Sequence, residues 1–409
     1  MAEWIGIGRR ARRCYGFDEV ALVPGTVTMN PAEVDTQWKV GELTFRIPLL
    51  ASAMDGVVDV PFAIAMGRLG GLAVLNLDGV QTRYDRPAEA IQQLVKANYE
   101  KATELVQKLY ASPVKEGLLA KRVEEIKRAK VPCAVSAIPQ HAERFGAIAQ
   151  EAGADVFVVQ STVTTARHLA SAYKPLDFRT FIKSMKIPVI IGNCVTYEQA
   201  LELMEFDPAG LLVGVGPGAA CTTRGVLGVG VPQVTATVDV AAARDMYFKK
   251  SGRYISVITD GGMRTGGDIC KAFACGSDAV MVGSAFARAK EAPGQGYHWG
   301  MAYPHSSLPR GTRIYVGTTG SVEEILFGPA TTDDGSQNLM GALMTCMGTV
   351  GARTIKEFQM AEIIIAPSIQ TEGKLFQQVQ RVGMARKQPA LEPSRNNRAG
   401  RRSSRVLAR

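Results

Sequence analysis

The run Gly214-Val-Gly-Pro-Gly-Ala-Ala-Cys221-Thr-Thr223-Arg224 sets one cysteine at the tip of a glycine-rich turn, with two hydroxyls directly after it. It follows Leu211-Leu-Val213, a short apolar run that reads as a buried strand. Gly214, Gly216 and Gly218 admit backbone conformations closed to other residues and let the chain approach a ligand closely. Such a turn can point several backbone N–H groups inward and hold Cys221 exposed at the strand end. A thiolate there is a competent nucleophile, because N–H dipoles and nearby cations lower a thiol's pKa. An inert cysteine in a tight turn is the bland alternative. The glycine density and the Cys-Thr-Thr-Arg run favour the nucleophile.

The elements that must position this loop are legible as eight short apolar runs, at 47–52, 71–77, 132–138, 155–162, 188–193, 210–216, 255–259 and 279–284. Most are near-continuous Val/Ile/Leu rather than alternating, as expected of parallel strands covered on both faces. Helical patterns separate them, for example 196–204, with Thr196 as N-cap and Glu198 in the first turn, and 267–275. Eight strand–helix units predict an α/β fold, a closed (β/α)8 TIM barrel over residues 1–375. A doubly wound open sheet competes less well, since no early G-x-G-x-x-G follows a strand.

On that barrel, Ser52 to Asp55, Gln160-Ser161, Asn193, Gly214 to Cys221, Asp260-Gly261-Gly262 and Gly283-Ser284 fall at the C-terminal ends of different strands. Barrel enzymes keep their active sites on that face, often with phosphate after strands seven and eight. Asp260-Gly261-Gly262 and Gly283-Ser284 occupy those two positions, and backbone N–H groups at glycine turns and helix N-termini suit a phosphate dianion. A carboxylate beside phosphate would repel it. Asp260 therefore reads as an acceptor for a sugar's hydroxyls, with a helix N-cap as the alternative.

Composition narrows the class. Of 409 residues, 46% are hydrophobic and 21% charged, ordinary for a globular protein. No apolar run approaches the roughly 20 residues needed to span a membrane, and the first residues do not read as a signal peptide. Seven cysteines without paired spacing argue against a disulfide framework and for a reducing cytoplasm, and the four histidines show no metal-ligand spacing. Residues 384–409 hold eight Lys/Arg and one acidic residue, so of the net +9 only about +2 belongs to the rest of the chain. The tail, 376–409, is expected to be disordered and solvated rather than to bind nucleic acid. A second cluster, Arg9-Arg10-Ala-Arg12-Arg13, suits either an anionic ligand or a subunit contact.

Six stretches, in order, resemble the IMP dehydrogenase/GMP reductase family over roughly 14–366. They are Tyr15-Gly-Phe-Asp18-Glu-Val-Ala-Leu-Val-Pro24, Ser52-Ala-Met54-Asp55, the cysteine loop with Gly228-Val-Gly-Val-Pro-Gln233, Asp260-Gly-Gly262, Ala279-Val-Met-Val-Gly283-Ser284 and Glu291-Ala-Pro-Gly294. The resemblance implies a (β/α)8 barrel, usually tetrameric, and a cytoplasmic enzyme of purine (guanine) nucleotide synthesis that oxidises IMP to XMP with NAD. Cys221 would attack C2 of the purine, and Thr223 would help activate water. Ser52 and Met54 would lie near the base, Asp260 would hold the ribose, and Gly262, Gly283 and Ser284 the phosphate. Gln160, Ser161, Asn193 and Gly214 would face the nicotinamide cofactor. The carbonyls of Gly216, Gly218 and Cys221 match a monovalent-cation site, here K+, although the loop supplies no carboxylate.

Val231, Ser284 and Glu291-Ala-Pro-Gly resemble the dehydrogenases rather than the NADPH-dependent GMP reductases. A third reading is a catalytically weak purine-nucleotide-binding regulatory protein. The shortened flap and Gln160 keep it in play and Cys221-Thr-Thr223 argues against it; the chain resembles the IMP-dehydrogenase-related subgroup without CBS domains. The interval 86–131 reads as helix, with no room for the paired CBS domains that dehydrogenases usually insert there. Gln160 stands where the family has an aspartate for the nicotinamide ribose, and Ala219 replaces a serine that often touches phosphate. The catalytic flap is short, and Arg310 stands where the family has a glutamate. Arg313 and Tyr315 are candidate replacements for the flap base, and strand alternation puts both on one face, read as a solvent face. Tyr297 and His298 both remain candidates for the family's phosphate-approaching tyrosine. Cys270 and Cys275 read as core.

Overall fold

The structure is a computed structural model that describes residues 2–301, 312–367, 374–380 and 382–383. The charged end of the tail, 384–409, and Arg310 of the flap lie outside the described residues, whereas the start of the tail belongs to a short helix, Leu375–Gln380. Eight parallel strands close into a barrel in chain order: β1 (Leu49–Ala51), β2 (Leu72–Asn76), β3 (Ala134–Ala137), β4 (Val156–Gln160), β5 (Val189–Cys194), β6 (Gly210–Val213), β7 (Ser256–Asp260) and β8 (Ala279–Val282), with β8 pairing back to β1. Their residues are buried almost throughout, which is why the sequence shows solid apolar runs rather than alternation.

One set of side chains fills the barrel interior, including Leu50, Val74, Val158, Ile190, Leu212, Ile258 and Met281. A hairpin of Trp38–Val40 and Leu43–Phe45 closes the N-terminal end. Trp38 stacks on Phe45 with ring centroids 5.2 Å apart, and its Nε1 donates to Ser256 Oγ at 3.1 Å. That hydroxyl in turn donates to the Lys39 carbonyl, also at 3.1 Å. The opposite end stays open to the loops that carry the chemistry. Around the barrel a second apolar layer packs strands against helices, and Cys270 and Cys275 belong to it as expected.

The helices start where local chemistry says they should. Thr196 caps Tyr197–Met204 by accepting from Gln199 N–H, and Thr265 caps Gly266–Ala274 through Asp268 N–H. The interval between β2 and β3 holds four helices, Val80–Arg83, Pro87–Lys96, Tyr99–Ala111 and Glu116–Arg128, and no further domain. The first three enclose Trp299 in an apolar cluster with Ile91, Leu94, Val106 and Tyr110. Tyr110 reaches the rim: its hydroxyl donates to the buried Asp55 and accepts from Trp299 Nε1 at 2.9 Å. Among the described residues, no helix is long and apolar enough to cross a membrane. The basic cluster near the start lies on a hairpin of Ala2–Gly6 and Arg9–Arg12; Arg12 pairs with Asp239, and Arg10 covers Trp4 at 4.3 Å.

Candidate active site

The loop after β6 is shaped by two glycines. Gly214 has φ +150°, and a Cβ there would sit 2.4 Å from the Asp260 carbonyl oxygen, so only glycine lets the end of β6 lie against β7. Gly216 has φ +74°, with the Arg224 side chain packed 2.6 Å from where its Cβ would be. Gly218 does not share this left-handed geometry. The turn closes as Cys221 N–H donates to the Gly218 carbonyl at 3.0 Å. Cys221 is half-buried, and its Sγ donates to Thr223 Oγ1 at 3.2 Å. Thr223 is itself buried, at the start of the short helix Thr223–Leu227.

Two residues to which the sequence assigned no role brace this loop. Arg224 donates from Nε to the Val215 carbonyl at 3.2 Å and from Nη2 to the Val231 carbonyl at 2.6 Å. Burial lowers its pKa, and the field of Cys221 partly offsets that, so the cation sits within electrostatic reach of the thiol. Gln233, buried, donates from Nε2 to the carbonyls of Val213 at 2.6 Å and Asp260 at 3.3 Å, tying the ends of β6 and β7 together. Its place in Gly228-Val-Gly-Val-Pro-Gln is visible in the sequence; the carbonyls it bridges are not.

The ends of β4, β5 and β7 meet in a polar triangle. Asp260 Oδ2 accepts from Asn193 Nδ2 at 2.8 Å and from Gln160 Nε2 at 3.0 Å, and Gln160 Nε2 also lies 3.3 Å from Asn193 Oδ1. Burial pushes the Asp260 carboxyl up to about 6, with the two amide donors pulling the other way. Because Thr265 caps the next helix, the N-cap alternative for Asp260 is closed. Ser161 is held by its own loop: its Oγ donates to the Val163 carbonyl at 3.0 Å and lies 2.9 Å from Thr164 Oγ1.

Next around the rim, a Cβ on Gly283 would stand 2.9 Å from Met54 Sδ and 3.6 Å from Ser52 Oγ, so the ends of β8 and β1 converge. Gly262 lies against Pro217 of the cysteine loop, where a Cβ on the glycine would stand 3.0 Å from Pro217 Cβ. Ser284 Oγ is 3.2 Å from Nε2 of His298. The strand Tyr297–Trp299 pairs antiparallel with Arg313–Tyr315. Thus Ser52, Met54, Gly283, Ser284 and His298 form one cluster; Gln160, Asn193, Asp260 and Gly214 form another, beside the loop that carries Cys221. Apart from His298, which lies on the Tyr297–Trp299 strand outside the barrel, they sit at or just beyond the ends of strands that are consecutive around the barrel.

The solvent-face reading of Arg313 and Tyr315 is corrected by the structure. Arg313 is buried, donates from Nη1 to the Leu94 carbonyl, and lies over the Tyr297 ring at 4.4 Å. Tyr315 packs on the same ring, centroids 4.6 Å apart. Alternation places the two on one face, but the helix Pro87–Lys96 and Tyr297 cover it. Arg313 is an anchor there.

The hydroxyl of a nicotinamide cofactor's ribose would find an acceptor at this rim. Both side-chain hydrogen bonds of Gln160 use Nε2, which leaves Oε1 to accept from a ribose hydroxyl. For a monovalent cation the carbonyls of Gly216, Gly218 and Cys221 are of suitable hardness. The Gly218 oxygen already accepts Cys221 N–H, and its second lone pair remains for an ion. Among the described residues no cluster of three His, Cys, Asp or Glu could hold a metal.

Fold and rim together define a barrel enzyme built around a cysteine loop. Residues 14–374 match the family model for the IMP dehydrogenase / GMP reductase domain. The chain belongs to the IMP dehydrogenase/GMP reductase family and is an IMP dehydrogenase-like oxidoreductase. It is 40% identical to an uncharacterized oxidoreductase of Mycolicibacterium smegmatis, over 88% of this chain and 99% of the relative. It is 27% identical to the inosine-5'-monophosphate dehydrogenase of Methanocaldococcus jannaschii, over 89% and 95% of the two chains. The crystal structure of an IMP dehydrogenase/GMP reductase-like protein from Corynebacterium glutamicum superimposes with a TM-score of 0.84 at 35% identity, covering 89% of this chain and 98% of that one.

Proposed function

We propose that this protein oxidises IMP to XMP with NAD, as a cytoplasmic homotetramer serving guanine-nucleotide synthesis. The observation that carries the reading is the half-buried Cys221 thiol, hydrogen-bonded at 3.2 Å to Thr223 on a loop pressed against Asp260. Ser52 and Met54 would border the base, Asp260 would accept from the ribose hydroxyls, and Gly262, Gly283 and Ser284 would hold the phosphate. Gln160, Ser161, Asn193 and Gly214 would line the cofactor, and the carbonyls of Gly216, Gly218 and Cys221 would hold K+.

Cys221 sulfur adds to C2 of the purine as its proton passes to N3. The hydride would leave C2 with its electron pair for NAD, which Gln160, Ser161, Asn193 and Gly214 would hold beside the purine. The N3 proton is released at that point, leaving the purine joined to Cys221 through a C=N carbon. Water then adds at C2 with Thr223 Oγ1 beside the sulfur to relay its proton. The S–C2 bond breaks, the sulfur regains a proton, and XMP departs.

The test follows reduced-nicotinamide absorbance with IMP plus NAD, beside GMP plus NADPH. A rise with IMP that vanishes in Cys221→Ala is the expected result. A fall with GMP plus NADPH instead would make the protein a GMP reductase. No change in either, with retained nucleotide binding, would make it a binding protein.

A further inference from the structure

His298 is only 2% exposed, with Nε2 lying 3.2 Å from Ser284 Oγ. Its other ring nitrogen, Nδ1, is buried and has no hydrogen-bond partner among the described residues. That orphan decides the tautomer. A buried N–H with no acceptor is a rarer state than an under-satisfied buried acceptor. The ring proton therefore sits on Nε2 and points at Ser284. The ring also stays neutral: burial, then the nearby Arg288 guanidinium, pushes its pKa down to about 4. The serine oxygen accepts from the ring, and its own hydrogen is turned away from His298.

We propose that His298 is a positioning residue that fixes the Ser284 hydroxyl as an outward hydrogen-bond donor to the phosphate of the bound nucleotide. The inference rests on the nucleotide reading above. A free serine hydroxyl presents either a hydrogen or a lone pair, whereas a phosphate dianion offers only lone pairs. Holding the serine oxygen with a ring N–H removes the wrong orientation in advance. Ser284 is suitably placed, since it follows Gly283, which borders Ser52 and Met54. The sequence leaves Tyr297 and His298 as equal candidates for the approach to phosphate. The structure separates them: Tyr297 is packed between Tyr315 and Arg313, and His298 touches Ser284.

The first test reads the ring alone, by 15N NMR of histidine-labelled full-length protein without ligand, with the signal assigned by its loss in His298→Gln. A neutral ring protonated at Nε2 and unchanged from about pH 5.5 to 8.5 is expected, well above the depressed pKa. Protonation at Nδ1, or titration in the ordinary histidine range, overturns the proposal whatever the protein's substrate. The second test is calorimetric titration with IMP and with inosine, which lacks the phosphate. His298→Met should weaken IMP about tenfold and leave inosine unchanged, the loss expected for one hydrogen bond to a charged group. His298→Gln, whose side-chain amide can donate from a similar place, should recover most of it. In a Ser284→Ala background His298→Met should add nothing further. Equal losses for IMP and inosine would mean a general packing role and overturn the proposal. Wild-type protein that binds no IMP would overturn the nucleotide reading and this role with it, while the position of the ring proton remains independently readable.

Discussion

At the scale of single residues, Asp260 makes the most definite demand. Its carboxyl titrates near 6 rather than in the ordinary aspartate range, because burial outweighs the donors on Asn193 and Gln160. Above that pH it is an acceptor-only carboxylate, suited to ribose hydroxyls; below it the protonated form predominates. Nucleotide affinity is therefore expected to fall about tenfold per pH unit on acidification below about 6. The phosphate of IMP titrates in the same range, so Asp260→Asn is the control. The part of the slope that disappears in calorimetry of that variant belongs to Asp260. The same shift has a sign for stability. A carboxyl raised in the fold helps stability most below its unfolded pKa and loses that contribution as pH rises through about 6. Asp260→Asn should therefore stabilise the protein more at pH 8 than at about pH 4.5, by about 1–2 kcal/mol given the residue's partial exposure. Asp260 is legible as a site residue because it ends a buried run at the seventh strand. Its partners are not, since Gln160, Asn193 and Asp260 meet only through the closure of three strands, and Gln160 read alone looks like a cofactor contact.

Among elements, the barrel strands are the most legible part of the chain. Runs at 132–138 and 255–259 become Ala134–Ala137 and Ser256–Asp260, displaced by a residue or two at their ends. Burial on both faces writes itself into composition. The strand Arg313–Tyr315 is harder, because alternation tells which side chains share a face but not what covers it. A carbonyl at Leu94 and the ring of Tyr297 cover this one. If Arg313 is the anchor the structure indicates, Arg313→Ala should lower stability by about 1.5–3 kcal/mol, the scale of a hydrogen bond to a charged group. The pH dependence of turnover in that variant should keep its wild-type shape. Thermal melts and pH–rate profiles of the one variant check both halves. A shift in the basic or acidic limb would return Arg313 to the chemistry.

For the whole molecule, the N-terminal hairpin is the feature that a lone barrel explains least. Trp4, Ile5 and Ile7 are 62%, 67% and 108% exposed, three large apolar side chains on one projecting arm. Apolar groups clustered in this way mark contact surfaces. Deleting residues 2–12 should shift sedimentation velocity toward smaller species and leave the melting temperature within a few degrees. An unchanged sedimentation coefficient would remove the arm from assembly. The sequence leaves its arginines open between an anionic ligand and a subunit contact; in the structure Arg12 pairs with Asp239 and Arg10 lies over Trp4, so these two brace the arm.

The tryptophan plug at the closed end of the barrel has a consequence in time. β7 is gripped at its first residue by Trp38 through Ser256, and at its last by Gln160 and Asn193 through Asp260. Its middle is clasped by β6 and β8 and by Asp278, which accepts from Val257 N–H at 2.8 Å. A strand secured at both ends and along both edges cannot fray, so its amides open only when the barrel itself comes apart. In deuterated buffer the amides of Val257 to Thr259 should be among the last to exchange, and their rate should report the lifetime of the entire fold.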